Sequence, residues 1–224
     1  HQIGTDYLRT FEETMKKLKL QKTFKIKPKK PFAFDSTFHK PDHFTSGDNY
    51  YEKGIRWQTW NWQEKNLGIK FSNKGTVRNP LVEIKIYAKE KLSDSFTSSL
   101  IEEIKYRYNF NYNLSDFYKT FKKDKFLSSI LKKWRGMRPG HPSSLYEYLI
   151  IGIVLQNAPV RRSVQMFKTL LEKYGMLLEF DGRKLWCFWN PGELKKVSEN
   201  ELRGLKVGYR AKSIKKTDEY FSKG

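Results

Sequence analysis

The chain has a single cysteine, Cys187, among 224 residues. One thiol cannot build a four-cysteine iron–sulfur cluster or zinc ribbon and leaves no intrachain disulfide, which fits a reducing compartment. Histidine is scarce as well. His39 and His43 have a ligand-like spacing, but Pro41 keeps them off one helix and no second pair follows, so no metal site is expected. No apolar run reaches membrane-spanning length, and the opening HQIGTDYLRTFEE has no signal-peptide pattern. An intracellular protein without a membrane partner is therefore expected, in cytoplasm or nucleoid, or in the nucleus of a eukaryote. Internal repeats and low-complexity tracts are also missing.

The scarcest resource is negative charge. Forty-four Lys and Arg face 24 acids, a formal charge of +20. A lysine-rich thermophile surface would balance its lysines with glutamates in ion-pair networks. Here the acids are too few, and a polyanion, nucleic acid above all, is the economical partner.

What is present divides into two periods. Residues 7 to 20 have the spacing of a short amphipathic helix, and eight lysines between Lys16 and Lys30 suggest a basic arm, solvated or tracking phosphates. From about Phe24 to Glu90 the period is two, with clean alternation over 55–59 and 82–89, a shorter strand at Ile69 and Phe71, and turns at Gly68 and 73–75. This predicts an antiparallel sheet with one wet face. Trp57, Trp60 and Trp62 invite a base-stacking reading, but aromatics at strand spacing belong first to a core. Beyond Lys91 the helical period takes over, with stripes at Leu100–Tyr108, Leu114–Phe121 and Leu127–Trp134 and then a Gly- and Pro-rich loop, Trp134 to Ser144, holding Arg135 and Arg138. The fold class is α+β: residues 1–30 a basic N-terminal helix or arm, 31–92 an antiparallel β domain, 93–224 a helical domain.

The stretch from Ser144 to Gly175 organises the helical part. Ser144 and Glu147 have capping-box spacing, and the helix they start has almost no polar face, so it is expected deep in a core. A second helix opens near Pro159 and stops at Gly175. Between them Gln156, Asn157, Arg161 and Arg162 form a polar, basic corner. After an Asp181-Gly182 turn that suggests a small hairpin, a last helix is led in by LKVGYRAK at 205–212. Gly204 and Gly208 suggest a tight approach, which puts Tyr209, Arg210 and Lys212 at a helix N-terminus, where backbone N–H groups favour phosphate.

The order of sheet, helices, the WRGMRP loop at 134–139, LQNAPVRR at 155–162 and LKVGYRAK at 205–212 resembles the 8-oxoguanine and alkylpurine branch of the helix-hairpin-helix DNA glycosylase superfamily. The resemblance runs from about Phe32 onward and implies a glycosylase-type helical domain after the β domain. It implies that Asn157, supported by Gln156, fills the gap left by an extruded base, that Tyr209 wedges against the stack, and that Arg162 and Arg210 hydrogen-bond the estranged base. An amide, a phenol and two planar guanidiniums are suitable replacements for lost pairing and stacking. It also implies a glycine-rich hairpin directly after the GYRA helix, with a lysine that attacks the sugar and an aspartate that assists it. The sequence stops at Gly224 without such a hairpin, so no catalytic residue is assigned within it. The catalytic pair is expected on a missing segment or a second polypeptide, and this chain alone is expected to be inactive. The implied partner is double-stranded DNA containing a damaged purine, and no cofactor is implied. A non-catalytic DNA-binding module of the same fold and an RNA-binding protein are the competing readings.

Overall fold

The computed structural model describes residues 15–39 and 47–223. Among the described residues eight strands and eight α-helices give an α+β fold. Five strands form one antiparallel sheet: β2 (Lys19–Ile26), β3 (Asn49–Glu52), β4 (Ile55–Trp62), β5 (Lys65–Asn73) and β6 (Val82–Ala88), in the order β2-β6-β5-β4-β3. Its inner face carries Trp60, Leu67, Ile69, Phe71, Ile84 and Ile86, which bury against Phe32, Phe34, Phe38 and the Leu100, Ile101 and Ile104 stripe of α2 (Asp94–Arg107). The short helix α1 (Phe34–Phe38) closes the same core.

The other face is not wet. A second sheet, β1 (Met15–Lys17), β7 (Met176–Phe180) and β8 (Arg183–Cys187), lies over it. Polar groups of the five-stranded sheet reach into it: Thr59 Oγ1 donates to the Trp186 carbonyl at 2.6 Å, Asn61 Nδ2 to that of Phe188 at 3.2 Å, and Trp57 Nε1 to Asp181 at 2.7 Å. Side chains of this face thus bond a hairpin more than a hundred residues away. Gly68 is not a turn either. It pairs with Thr59 and Tyr87 inside β5, and a Cβ there would lie 2.5 Å from the Phe180 ring, so glycine makes room for the second sheet. The reversal before β5 is made by Gln63 and Glu64, both at positive φ.

The helix expected over residues 7–20 is corrected where it can be seen. Met15–Lys17 pairs in parallel with β7, and Leu18 is buried in the small core between the sheets. Residues 7–14 and His43 lie outside the described residues. Lys19, Lys22 and Lys25 ride on an edge strand rather than a free arm, with Phe24 and Ile26 turned toward the sheet core and Lys25 outward. Trp57 and Trp60 are buried, which removes them as a stacking platform.

Helices α3 (Ser115–Phe121) and α4 (Leu127–Lys133) form an outer pair. The loop after them holds Arg138, fully buried, whose guanidinium bonds the carbonyls of Tyr112, Lys29 and Pro31. It joins the β and helical parts. The helical core is built by α5 (Leu145–Leu155), α6 (Val160–Tyr174), α7 (Glu199–Leu202), the π-helical turn 203–207 and α8 (Arg210–Phe221). The expected capping box opens α5, with Ser144 Oγ accepting from the Glu147 amide at 3.2 Å. Only Tyr146, Ile150 and Val154 of α5 are buried. Leu145, Tyr148, Leu149, Gly152 and Leu155 form an exposed stripe, Leu145 at 66%, so the expectation of a fully buried helix is corrected. One face packs on α8 and the other is open.

Candidate nucleic-acid interface

The corner between α5 and α6 meets the corner that begins α8. Gln156 caps α5, and Asn157 turns the chain with φ +46°, a left-handed conformation that Asn tolerates better than most residues. Pro159 is the N-cap of α6 and carries the chain into its first turn. Fifty residues on, Lys206 and Gly208 both have positive φ, and Gly208 (φ +63°, ψ −137°) occupies a region open to glycine. A Cβ at Gly204 or Gly208 would meet nothing within 4 Å, so the expected tight approach is corrected: glycine at 208 serves backbone conformation, not packing.

These reversals bring the Asn157 amide within 3.4 Å of the Tyr209 hydroxyl, both side chains exposed. The positive ends of α6, 15 residues long, and α8, 12 residues long, open beside them. Arg161 and Arg162 in the first turn of α6, Lys206 on the π turn and Lys212 on α8 are exposed. Among the described residues none of these four has a carboxylate within 4.0 Å. Arg162 and Lys206 share a groove with Gln165, Met166 and Leu205.

Arg210 sits deeper than its neighbours Tyr209 and Lys212. It is 6% exposed, its guanidinium lies 4.7 Å from the centre of the Tyr209 ring, and it donates to the backbone carbonyl of Gln156. Its Nε is buried without a partner. The side chain clamps the two corners together. The reason is packing: the small, buried Ala211 and Val207 beside it draw the start of α8 into the helical core.

Asp218 is equally structural. Fully buried, it accepts from the Tyr146 hydroxyl at 2.6 Å, the Gly192 amide at 2.9 Å and the Leu194 amide at 3.1 Å, which ties α8 to α5 and to the loop before α7.

Behind the corner, between β4 and α5, lies a cavity of about 210 Å³. Arg56 and Gln58 line one wall, Tyr148, Ile151 and Leu155 the other, and Leu155 immediately precedes the corner. The sequence pattern read Arg56 and Gln58 as solvent-facing. They share a face with Trp60, and that shared parity was the available signal. Tyr108 donates to Gln58 Oε1 at 2.7 Å, and burial pushes the Tyr108 hydroxyl pKa well up. Among the described residues no group of three His, Cys, Asp or Glu could hold a metal ion, and no helix is long and apolar enough to cross a membrane.

No family model matches the sequence. A probable N-glycosylase/DNA lyase of Methanothermobacter thermautotrophicus is 30% identical over 138 residues, covering 53% of this chain and 44% of that protein. The chain superposes on the 3-methyladenine DNA-glycosylase from Archaeoglobus fulgidus with a TM-score of 0.72 at 13% identity, covering 88% of this chain and 66% of that one. The Clostridium acetobutylicum 8-oxoguanine glycosylase/lyase, solved with double-stranded DNA bearing cytosine opposite 8-oxoguanine, gives a TM-score of 0.64 at 17% identity, covering 92% and 65%. This chain thus spans less than half of that archaeal relative and about two thirds of the solved structures. Its relatives and structural neighbours are DNA glycosylases, as its resemblance to the helix-hairpin-helix DNA glycosylase superfamily implies.

Proposed function

We propose that this chain is the DNA-gripping and base-extruding part of a base-excision N-glycosylase that acts on a damaged purine in double-stranded DNA, of the 8-oxoguanine type with AP-lyase chemistry. The observation that carries this reading is the 3.4 Å approach of Asn157 to Tyr209, two exposed tips from distant segments, set between two helix N-termini and flanked by unpaired cations. Arg161, Arg162, Lys206 and Lys212 hold phosphates; the Asn157 amide enters the vacated position in the stack, Tyr209 wedges beside it, and Gln156 and Arg162 face the estranged base. Arg210 acts through the corner it clamps. The lysine that displaces the base and the aspartate that steadies the cationic sugar come from a further segment or a second polypeptide, for which the open apolar stripe of α5 beside the cavity is the available face. No cofactor takes part, and the protein works where the genome is.

The test is affinity for a duplex holding an abasic-site analogue against the same duplex intact, by fluorescence anisotropy. The chain is expected to prefer the abasic duplex about tenfold, and Asn157→Ala with Tyr209→Ala to abolish that preference. Equal affinity for both duplexes, or tighter binding of single-stranded RNA, refutes the reading and favours a general nucleic-acid binder. Cleavage of an 8-oxoguanine·cytosine duplex only when a hairpin-bearing polypeptide is added separates enzyme from binding module.

A further inference from the structure

The cavity between β4 and α5 has an uneven supply of hydrogen-bonding groups. Arg56 is 9% exposed and Gln58 3%. Arg56 Nε donates to Gln58 Oε1 at 3.2 Å, Arg56 Nη1 to the Phe38 carbonyl at 2.5 Å, and Tyr108 takes up the remaining acceptor capacity of Gln58. The Gln58 oxygen is thus fully engaged from inside the protein. Neither Arg56 Nη2 nor Gln58 Nε2 bonds a described residue, and neither is sealed away from the cavity. Two neighbouring N–H donors on side chains more than nine-tenths buried thus have no partner among the described residues, and both side chains line the cavity. Asp48 lines the same wall and accepts from Asn49 Nδ2 at 2.9 Å. The opposite wall, Tyr148, Ile151 and Leu155, is mainly apolar and lies one residue from the corner proposed to displace the base.

We infer that this cavity receives the extruded base and that Arg56 and Gln58 select an oxopurine, a purine with a carbonyl at its six-position, over an aminopurine. The inference rests on the base-extruding role proposed above. A ring carbonyl accepts from the neighbouring guanidinium and amide, whereas an exocyclic amine at the same position sets donor against donor. Enclosed sites built to complete such bonds reject partners that cannot make them far more strongly than apolar pockets reject a change of size. The two kinds of solved neighbour are named for lesions on opposite sides of this division, 8-oxoguanine and 3-methyladenine. Arg56 and Gln58 place this chain on the oxopurine side. The assignment comes from the sheet strand β4 rather than from the two corners that grip the duplex.

Two duplexes that differ only in the test base give a clean measurement: hypoxanthine or adenine opposite an abasic-site analogue, so that neither is paired. The unmodified chain is expected to bind the hypoxanthine duplex at least about tenfold tighter, the equivalent of one good hydrogen bond. Gln58→Leu and Arg56→Met are each expected to bring the ratio within about twofold, and Arg56→Lys to keep part of it. The ratio cancels any general loss of grip, and Gln58→Leu, a near-isosteric change, decides if Arg56→Met does not fold. A ratio near one in the unmodified chain, a preference for adenine, or a ratio unchanged in a folded variant overturns the inference. Failure of the base-extruding role shows separately, as no preference for an abasic over an intact duplex.

Discussion

Replacing Arg210 with alanine tests whether this side chain reads a base or holds the corners. Its bond to the Gln156 carbonyl joins segments 54 residues apart, and its stacking on Tyr209 at 4.7 Å fixes the wedge. A hydrogen bond to a charged group contributes about 1.5–3 kcal/mol and the cation–π contact about 0.5–1 kcal/mol, while removing the buried, unpartnered Nε relieves about 1–3 kcal/mol. The net loss is about 1 kcal/mol, a fall in Tm of about 2–4 °C for a chain of this size. DNA binding suffers more, because the freed corner must be ordered again on the duplex at about 1–2 kcal/mol per residue, which is about tenfold in affinity. Since the side chain is only 6% exposed, the loss is expected to be equal whichever base lies opposite the abasic site. Anisotropy titrations with cytosine, adenine, guanine and thymine opposite the analogue, beside a thermal melt, measure both. A loss confined to the cytosine duplex with an unchanged Tm refutes the clamp, and would mean that the guanidinium leaves its seat to read the base.

Asp218→Ala strands one buried hydroxyl and two buried amides, and is expected to cost about 3–5 kcal/mol and lower Tm by about 10 °C or more. Burial pushes the Glu147 carboxyl up from 4.5 to about 7, so between those values the folded chain keeps a proton that the unfolded chain has released. Stability is therefore expected to fall as pH rises from about 4.5 to about 7, by at most about 3 kcal/mol, and to level off above; Glu147→Gln should flatten that slope in urea titrations across the range. Burial also drives the Cys187 thiol well up, so it should resist a thiol reagent in the native protein and react fully in denaturant; fast native labelling would contradict the core built around it.

Local signals survived folding where the energy is local. The Ser144–Glu147 capping box, the Ser198 cap accepting from Glu201 at 3.1 Å, the Gly175 stop and the Asp181-Gly182 turn each depend on residues within a few positions, and each was legible in the chain. The two corners were legible as motifs because Asn157 and Gly208 supply the unusual backbone that such reversals need. The misreadings are all non-local. Met15–Lys17 is a strand because β7 offers it an edge, Gly68 is mid-strand because Phe180 needs its space, and the sheet lacks its expected wet face because a hairpin from residues 176–187 lies over it.

By itself the sequence determined the polyanion-seeking charge, the change of period from two to helical near Lys91, and the two polar corners, since composition and short-range periodicity carry that information. Only the tertiary structure decided which exposed tips meet, that Arg210 faces inward while Arg161, Arg162 and Lys212 face out, and that Arg56 and Gln58 line a cavity instead of a wet surface. A strand alternates between two faces but does not say which face water reaches. That choice belongs to whatever packs against each face, and here both partners come from distant parts of the chain.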